Sequence, residues 1–460
     1  MRVEFHGADR GVTGSCHLIE CAGKRVLIDC GLYQGRRELD QENADAFGFD
    51  PGSIDFVLLT HAHLDHCGRL PLLVKRGFKG EIVTTEASRE LARLVLLDAA
   101  HLHEEEAARA ARRAARARAA DLQPLYTQDD ARATLQLFGR TARYATHFEL
   151  APGIGASFLD AGHILGSASV LLKLAESGAR RRVLFSGDLG NAGRPLLRTP
   201  APPPAVDVVV METTYGDRLH RPFAPSVEEL YAAITDTFRR GGNVVIPTFA
   251  LERAQELLFF LRTGLEAERL PQGMQVFLDS PMAISATAIF RDHPECYRPE
   301  AGRLFAAGRD PFSPPGLHFT RETADSIALN RITGGALIIA GSGMCSGGRV
   351  RHHLRHNLDR SNCAVIFVGY AARGTPARQI IDGASSVKLL GEEVAVRARV
   401  HTINGFSAHA DQHELLDWHR HTRAARTFLV HGEADVMRTF AACLQGSDVQ
   451  LPLPHEGFDL

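Results

Sequence analysis

Short apolar runs recur along this chain, and many of them stop at a residue able to do chemistry. The run Phe56-Val57-Leu58-Leu59 reads as a buried strand and is followed at once by Thr60-His61-Ala62-His63-Leu64-Asp65-His66. Ahead of it, residues 17–20 and 25–29 flank Ala22-Gly23-Lys24, a hairpin signal, and Asp29 closes the second strand. Residues 70–75 read as a short helix, and 88–123 as a long one rich in Ala and Arg. Residues 144–150, 156–160 and 182–186 read as strands. The last two run into the glycine loops Gly162-His163 and Gly187-Asp188.

The pattern changes after Pro200-Ala201-Pro202-Pro203-Pro204, the clearest linker in the sequence. Strand-like runs at 207–211, 243–246, 275–278, 336–340 and 364–368 alternate with helical stretches such as 252–261 and 348–358, the signature of a parallel sheet. Such sheets bind ligands at the carboxyl ends of their strands. The His-bearing strand ends return after 397–403, with Ser407-Ala408-His409 and then Val430-His431-Gly432. A ligand-bearing pattern that stops near 200 and resumes near 400 predicts an α/β protein with an inserted domain. The expected divisions are 1–204, 205–396 and 397–460.

Composition narrows the class. The 460 residues are 45% hydrophobic and 23% charged, the profile of a globular enzyme of two or three domains. Net charge is −2, so a polyanion would need a local basic patch. Eight Cys occur without a Cys-x-x-Cys pair, which argues against a Cys-based metal site and for a reducing compartment. There is no signal-peptide pattern at the start and no 18-residue apolar run, so a cytoplasmic location without membrane contact is expected.

The chemistry concentrates in the 61–66 cluster. Four metal-competent side chains directly after a strand are a strong signal, because a turn aims alternate side chains at one point. His163, Asp188 and His431 are weaker alone but share the strand-end setting. Gly341-Ser342-Gly343-Met344-Cys345-Ser346-Gly347-Gly348, opening a helix, has the form of a phosphate cradle. Arg373-Gly374-Thr375-Pro376-Ala377-Arg378 is a second candidate. Phosphate contacts are therefore expected from Ser342, Gly343, Ser346, Gly347, Arg373, Thr375 and Arg378. Arg109, Arg112, Arg113 and Arg116, with Arg118 nearby, read as a solvated, self-paired helix face in preference to a phosphate shelf.

In order and content these motifs resemble the β-CASP family of the metallo-β-lactamase superfamily, a group of RNA- and DNA-processing nucleases. The resemblance runs over nearly the whole chain and is nearest the short bacterial ribonucleases similar to the endonuclease subunit of the cleavage and polyadenylation specificity factor. It implies an αββα sandwich carrying an inserted parallel-sheet β-CASP domain. It also implies two Zn2+ ions, one held by His61, His63 and His163, the other by Asp65, His66 and His431, with Asp188 bridging. Manganese is compatible with the same ligands. Glu212, His409 and His431 match the three downstream motifs; His409 is the implied general acid, Glu212 its support, and Asp29 a residue that fixes a ligand imidazole. Together with Asp65 these form the expected catalytic set. His at position 431 favours RNA over DNA. The implied reaction is hydrolysis of single-stranded RNA in a cleft between the two domains, with metal-activated hydroxide attacking phosphorus to leave a 5′-phosphate. The close of the chain soon after His431 favours endonucleolytic cutting. A homodimer is compatible with the sequence. The competing readings are a non-catalytic RNA-binding scaffold and a small-molecule ester or thioester hydrolase on the same fold.

Overall fold

In the computed structural model, residues 1–34, 42–117, 123–369, 371–372 and 374–460 are described, and the chain divides into two compact units. The first comprises 1–192, 198–219 and 409–460; the second comprises 193–197 and 220–408.

The first unit is built on two seven-stranded mixed sheets. One contains β1 (Arg2–Phe5), β2 (His17–Cys21), β3 (Lys24–Ile28), β4 (Phe56–Leu58), β5 (Glu81–Thr84) and β6 (Phe138–Thr141) in chain order, with β22 (Gly457–Asp459) added outside β1. The expected β2–β3 hairpin forms; Ala22 and Gly23 both take positive φ, as a tight two-residue turn requires. From β3 to β6 the strands run parallel, so the carboxyl ends of β3 and β4 lie side by side. The long helix is found at Glu86–Ala117, where Arg109 pairs with Glu105 at 2.6 Å. Arg118 and the side chains of Arg113 and Arg116 lie outside the described residues.

The other sheet has the order β21-β20-β11-β10-β9-β8-β7. Its members are β7 (His147–Ala151), β8 (Ile154–Asp160), β9 (Ala168–Glu176), β10 (Ala179–Phe185), β11 (Val208–Glu212), β20 (Arg426–Val430) and β21 (Asp448–Gln450). Strands β7 to β10 form an antiparallel meander, and β10, β11, β20 and β21 are parallel. The inward residues of both sheets, among them Val3, Ile19, Val26, Ala156, Val170, Val183 and Val210, share one core. Each such Val or Ile side chain contributes about 1.5–3 kcal/mol by leaving water. On the outer side of the second sheet, Leu184, Val209, Met211 and Leu429 pack with Leu415 and Trp418 from the helix Gln412–Thr422 and with Met437 and Phe440 from the helix Ala434–Cys443.

The second unit centres on a six-stranded sheet, all of whose pairs are parallel, in the order β14-β13-β15-β12-β16-β19. These are β12 (Val244–Pro247), β13 (Gln275–Asp279), β14 (Leu317–Phe319), β15 (Ala336–Ala340), β16 (Ala364–Phe367) and β19 (Arg399–Thr402). A small hairpin of β17 (Ser386–Leu389) and β18 (Glu392–Ala395) lies before β19 in the chain.

The sandwich-plus-insertion fold read from the motifs is the one observed, but two strands fall elsewhere than their local pattern suggested. Val208–Glu212 follows the proline run and reads like the inserted sheet, yet it is hydrogen-bonded between β10 and β20 in the first unit. The proline run itself packs back on that unit, with Ala201 N–H donating to Asp160 O at 2.7 Å. Conversely, Arg399–Thr402 pairs with β16 in the second unit. An apolar strand of four or five residues carries no mark of which parallel sheet it joins.

Candidate metal centre

The expected ligands and the residues that support them lie at or just beyond the ends of strands. Asp29 follows β3, the 60–66 segment follows β4, His163 follows β8, Asp188 follows β10, Glu212 ends β11 and His431 follows β20. The backbone bends sharply to aim them. Asp29 and His431 take φ of 61° and 51°, a left-handed conformation costing non-glycine residues about 1–3 kcal/mol, and Gly162 and Gly187 are likewise at positive φ. Close approach of the loops depends on glycine. A Cβ at Gly31 would fall 1.6 Å from Asp65 O, and one at Gly190 would fall 1.9 Å from Gly162 O.

The side chains converge into two groups around one carboxylate. His61 Nε2 and His163 Nε2 each lie 3.5 Å from Asp188 Oδ2. His63 Nδ1 stands 3.1 Å from His61 Nε2 and 3.2 Å from His163 Nε2. On the other side, Asp188 Oδ1 is 3.3 Å from His66 Nε2 and 3.6 Å from His431 Nδ1, while His431 Nε2 is 3.6 Å from Asp65 Oδ2. Ligand atoms of His61, His63, His163 and Asp188 all lie within 4.8 Å of one another, and so do those of Asp65, His66 and His431.

Three observations fit cations to this cluster. Both Asp188 oxygens, His66 Nε2 and His431 Nε2 are buried and lack a hydrogen-bonding partner, which is costly for groups that water cannot reach. Three ring nitrogens crowd at hydrogen-bond distance, where a shared cation satisfies more lone pairs than protons can. Burial also keeps the imidazoles of His61 and His63 from protonating, His61 well below its usual range and His63 down to about 4. For Asp188, burial works against ionisation, but the surrounding His431, His66, His409 and His61 hold it well below the usual carboxylate range. His61 and His63 thus present neutral imidazole beside the ionised Asp188 carboxylate, donors that suit divalent zinc.

A second layer holds the first. Asp29 Oδ1 accepts from Thr60 N–H at 2.7 Å, and Oδ2 accepts from Thr60 Oγ1 and faces His66 Nδ1, both at 2.7 Å. Burial disfavours a charged His66, yet Asp188 on one ring nitrogen and Asp29 on the other raise its pKa well above normal. Thr60 and Thr214 were not singled out by sequence. Thr60 Oγ1 touches both Asp29 and His61 Nδ1, and Thr214 Oγ1 lies 3.1 Å from His431 Nδ1. A threonine beside a ligand is too common to be a signal until the strand ends are brought together. Below the cluster a cavity of about 20 Å³ is lined by Ser15, His17, Asp29, His66, Asp188 and His431. Burial among the other imidazoles pushes the His17 pKa down to about 3.

His409 and Glu212 adjoin the Asp188 side. Glu212 is 1% exposed. Its two oxygens each lie 3.1 Å from His409 Nδ1, and Oε1 also accepts from Leu189 N–H at 2.5 Å. That leaves His409 Nε2 turned toward the cluster, 3.9 Å from Asp188 Oδ2. Burial would lower the His409 pKa, but Glu212 and Asp188 more than offset it and hold it at about 9.

In the second unit the 341–349 loop follows β15 and opens the helix Val350–Asn357. Ser342 Oγ lies within 3.4 Å of Gly347 N, and Met344 O accepts from Ala377 N–H, which brings the two predicted loops together. Thr375 caps the helix Pro376–Ile381, accepting from Arg378 N–H and donating to Ala372 O. Arg378 pairs with Asp382 at 2.6 Å. Arg373 lies outside the described residues.

Two mixed sheets sandwiched over one core, with imidazoles and carboxylates gathered at the strand ends, define a metal-binding protein of the metallo-β-lactamase type. Comparison with known proteins resolves this further. Residues 9–248 match the metallo-β-lactamase superfamily, 254–380 the Beta-Casp domain, and 393–452 the Zn-dependent metallo-hydrolase RNA specificity domain. The chain is 41% identical over 459 residues to Ribonuclease TTHA0252 of Thermus thermophilus, covering 99% of both chains. It is 30% identical over 455 residues to Transcription termination factor FttA of Methanocaldococcus jannaschii, covering 96% of this chain and 68% of that one. A protein of unknown function from Enterococcus faecalis V583 shares the fold at TM-score 0.56 and 12% identity, covering 100% of this chain and 99% of that one. This chain belongs to the β-CASP family of the metallo-β-lactamase superfamily.

Proposed function

We propose that this protein is a metal-dependent ribonuclease that hydrolyses phosphodiester bonds of single-stranded RNA endonucleolytically. The observation that carries this reading is the position of Asp188, one oxygen facing His61 and His163 and the other facing His66 and His431. On this reading His61, His63 and His163 would hold one Zn2+ ion and Asp65, His66 and His431 a second, with Asp188 available to both groups. Bound there, such ions lower the pKa of water and polarise a phosphoryl oxygen.

The protein side chains do the rest. Asp29 and Thr60 keep the His66 and His61 rings turned to the site. Glu212 holds the His409 ring by Nδ1, so that a proton on Nε2 faces the cluster. In this role His409 gives that proton to the departing 3′-oxygen, a transfer that general acids typically accelerate about 10²–10⁴-fold. The relative named a ribonuclease and the match to an RNA specificity domain support RNA as the substrate. Among the described residues no helix is long and apolar enough to cross a membrane, in keeping with work in the cytoplasm.

The test compares end-labelled single-stranded RNA, DNA of the same sequence and a generic ester as substrates. Wild type cuts RNA internally and loses this on chelation, while an Asp65→Ala, His66→Ala double variant is inactive and deficient in metal. Ester hydrolysis without RNA cleavage would overturn the proposal.

A further inference from the structure

The second sheet of the first unit carries a feature that the metal centre does not use. Strand parity assigns its two faces. Ala156, Val170, Leu172, Leu174 and Val183 point into the core between the sheets, so Gly155, Lys173, Arg180 and Arg182 point outward. The helices at Gln412–Thr422 and Ala434–Cys443 contribute to the outer cluster with Leu184, Val209 and Leu429, toward the other edge. Over β7 to β10 the outer face instead forms a groove of about 500 Å³.

Its walls are basic. Lys173 and Arg182 are cross-strand partners, and Arg180 follows two residues along on the same face. Arg180, Arg181 and Arg182 are all exposed, as is Lys173. Among the described residues none of these four cations has a carboxylate within ion-pair distance, unlike Arg140 on the neighbouring sheet, which pairs with Glu81 at 2.7 Å. The two acids in the lining are Glu149 and Asp207, and Asp207 already accepts from the Arg182 backbone N–H at 2.7 Å. The floor is low because Gly153 and Gly155 have no side chains; a Cβ at Gly155 would meet the His147 ring at 2.4 Å. Four adjacent strands make the groove roughly 14 Å wide, at about 4.8 Å between strands. In a chain of net charge −2, an uncompensated basic trough is a local exception.

We infer that this groove is an exosite for the backbone of the RNA substrate, gripping a stretch remote from the bond that is cut. It rests on the ribonuclease reading above. Arg182 lies six residues before Asp188, roughly 15–20 Å along the strand and loop, so only an RNA longer than the cleaved segment reaches both places. A trough walled by cations, with no Phe, Tyr or Trp in its lining, grips phosphates and does not read base edges. It therefore sets affinity and length preference, not sequence.

The test uses metal-loaded wild type and an Arg180→Glu, Arg182→Glu double variant, with RNAs of about 8 and about 40 nucleotides. Thermal melting checks that both proteins are folded. Wild type should show a lower KM for the long RNA. In the variant that KM should rise at least tenfold, with kcat and the short-RNA KM unchanged. The slope of log affinity against log salt for the long RNA should shallow by about 0.7 for each lost contact. An Arg180→Lys, Arg182→Lys variant should keep most of the length preference. If the long-RNA KM stays within twofold, or rises equally for both lengths, the exosite is refuted. Anisotropy binding of the long RNA reads the groove even if cleavage is absent. Loss of all cutting by wild type with binding still lost in the variant would therefore strike the ribonuclease reading and spare the groove.

Discussion

Glu212→Gln tests the proton-donating arm of the site without altering its shape. Both Glu212 oxygens face His409 Nδ1 at 3.1 Å in a position shielded from water. A hydrogen bond to a buried charged partner is worth about 1.5–3 kcal/mol. If that energy serves to hold the ring and its charge, its loss slows the chemical step roughly 10–150-fold. The amide also brings an N–H₂ toward donors, Leu189 N–H or His409 Nδ1–H, so one contact turns unfavourable. A pH signature accompanies the slowing. A general acid works while protonated, so activity due to His409 is present below its pKa and lost as pH rises through it. Glu212 is the first among the groups that raise that pKa to about 9 against burial. Its neutralisation therefore moves the alkaline limb of the single-turnover rate profile to lower pH. The assay is single-turnover cleavage of end-labelled RNA across pH 6–10, with metal content measured on each sample. A rate within threefold of wild type at full metal content, with an unmoved alkaline limb, would refute the assigned pair.

Asp29→Ala removes the carboxylate that orients His66 and Thr60; metal affinity should fall about 10–100-fold, measured by competition with a chelating dye, and excess metal should restore activity. Chelation itself should lower the melting temperature, since a ligand bound only by the native state stabilises by mass action; an unchanged melting curve would refute tight resident metal. His6 is buried beside His455, and its pKa is lowered to about 4 by burial first and by His455 second. The unfolded chain takes up that proton near 6.5 and the folded one only near 4. As pH is lowered from 6.5 toward 4, stability should thus decrease by at most about 1.4 kcal/mol per pH unit, and a His6→Phe variant should show a shallower decrease in urea titrations. In the second unit, Asp279 accepts from Arg349, His353, Ser326 and Thr320 in full burial. Asp279→Ala should cost about 3–5 kcal/mol, read from urea unfolding followed by near-UV signal.

How much of this was legible in the chain depended on whether the signal was local. The β2–β3 hairpin could be read because a two-residue turn needs left-handed residues and the sequence supplies Ala22-Gly23 between alternating strands. The 61–66 cluster was legible because four donors fall in six residues. His163, Asp188 and His431 carried weight only through their order relative to that cluster and through the resemblance it evoked. The geometry that makes Asp188 central, an oxygen toward each His pair, exists only after four strand ends converge. Strand membership was the least legible property. Val208–Glu212 and Arg399–Thr402 are equally apolar or β-prone in either sheet, and tertiary pairing decides between them. Thr375 and Arg378 illustrate a different limit. A Gly-Thr-Pro sequence reads as an anion cradle or as a helix cap, and Thr375 spends its hydroxyl on the cap while Arg378 engages Asp382.

Strand β20 is paired with β11 in the register Glu212 with Val430, and His431 follows as the next residue. Its sequence partner lies more than two hundred residues earlier, across the whole inserted unit. During synthesis, therefore, the chain has His61, His63, His66, His163 and Asp188 well before it has the residues that complete the cluster. The group of His61, His63, His163 and Asp188 is drawn wholly from chain made before the inserted unit, whereas Asp65 and His66 gain His431 only once β20 has been added beside β11, so the two halves of the cluster differ in how much of the chain each needs.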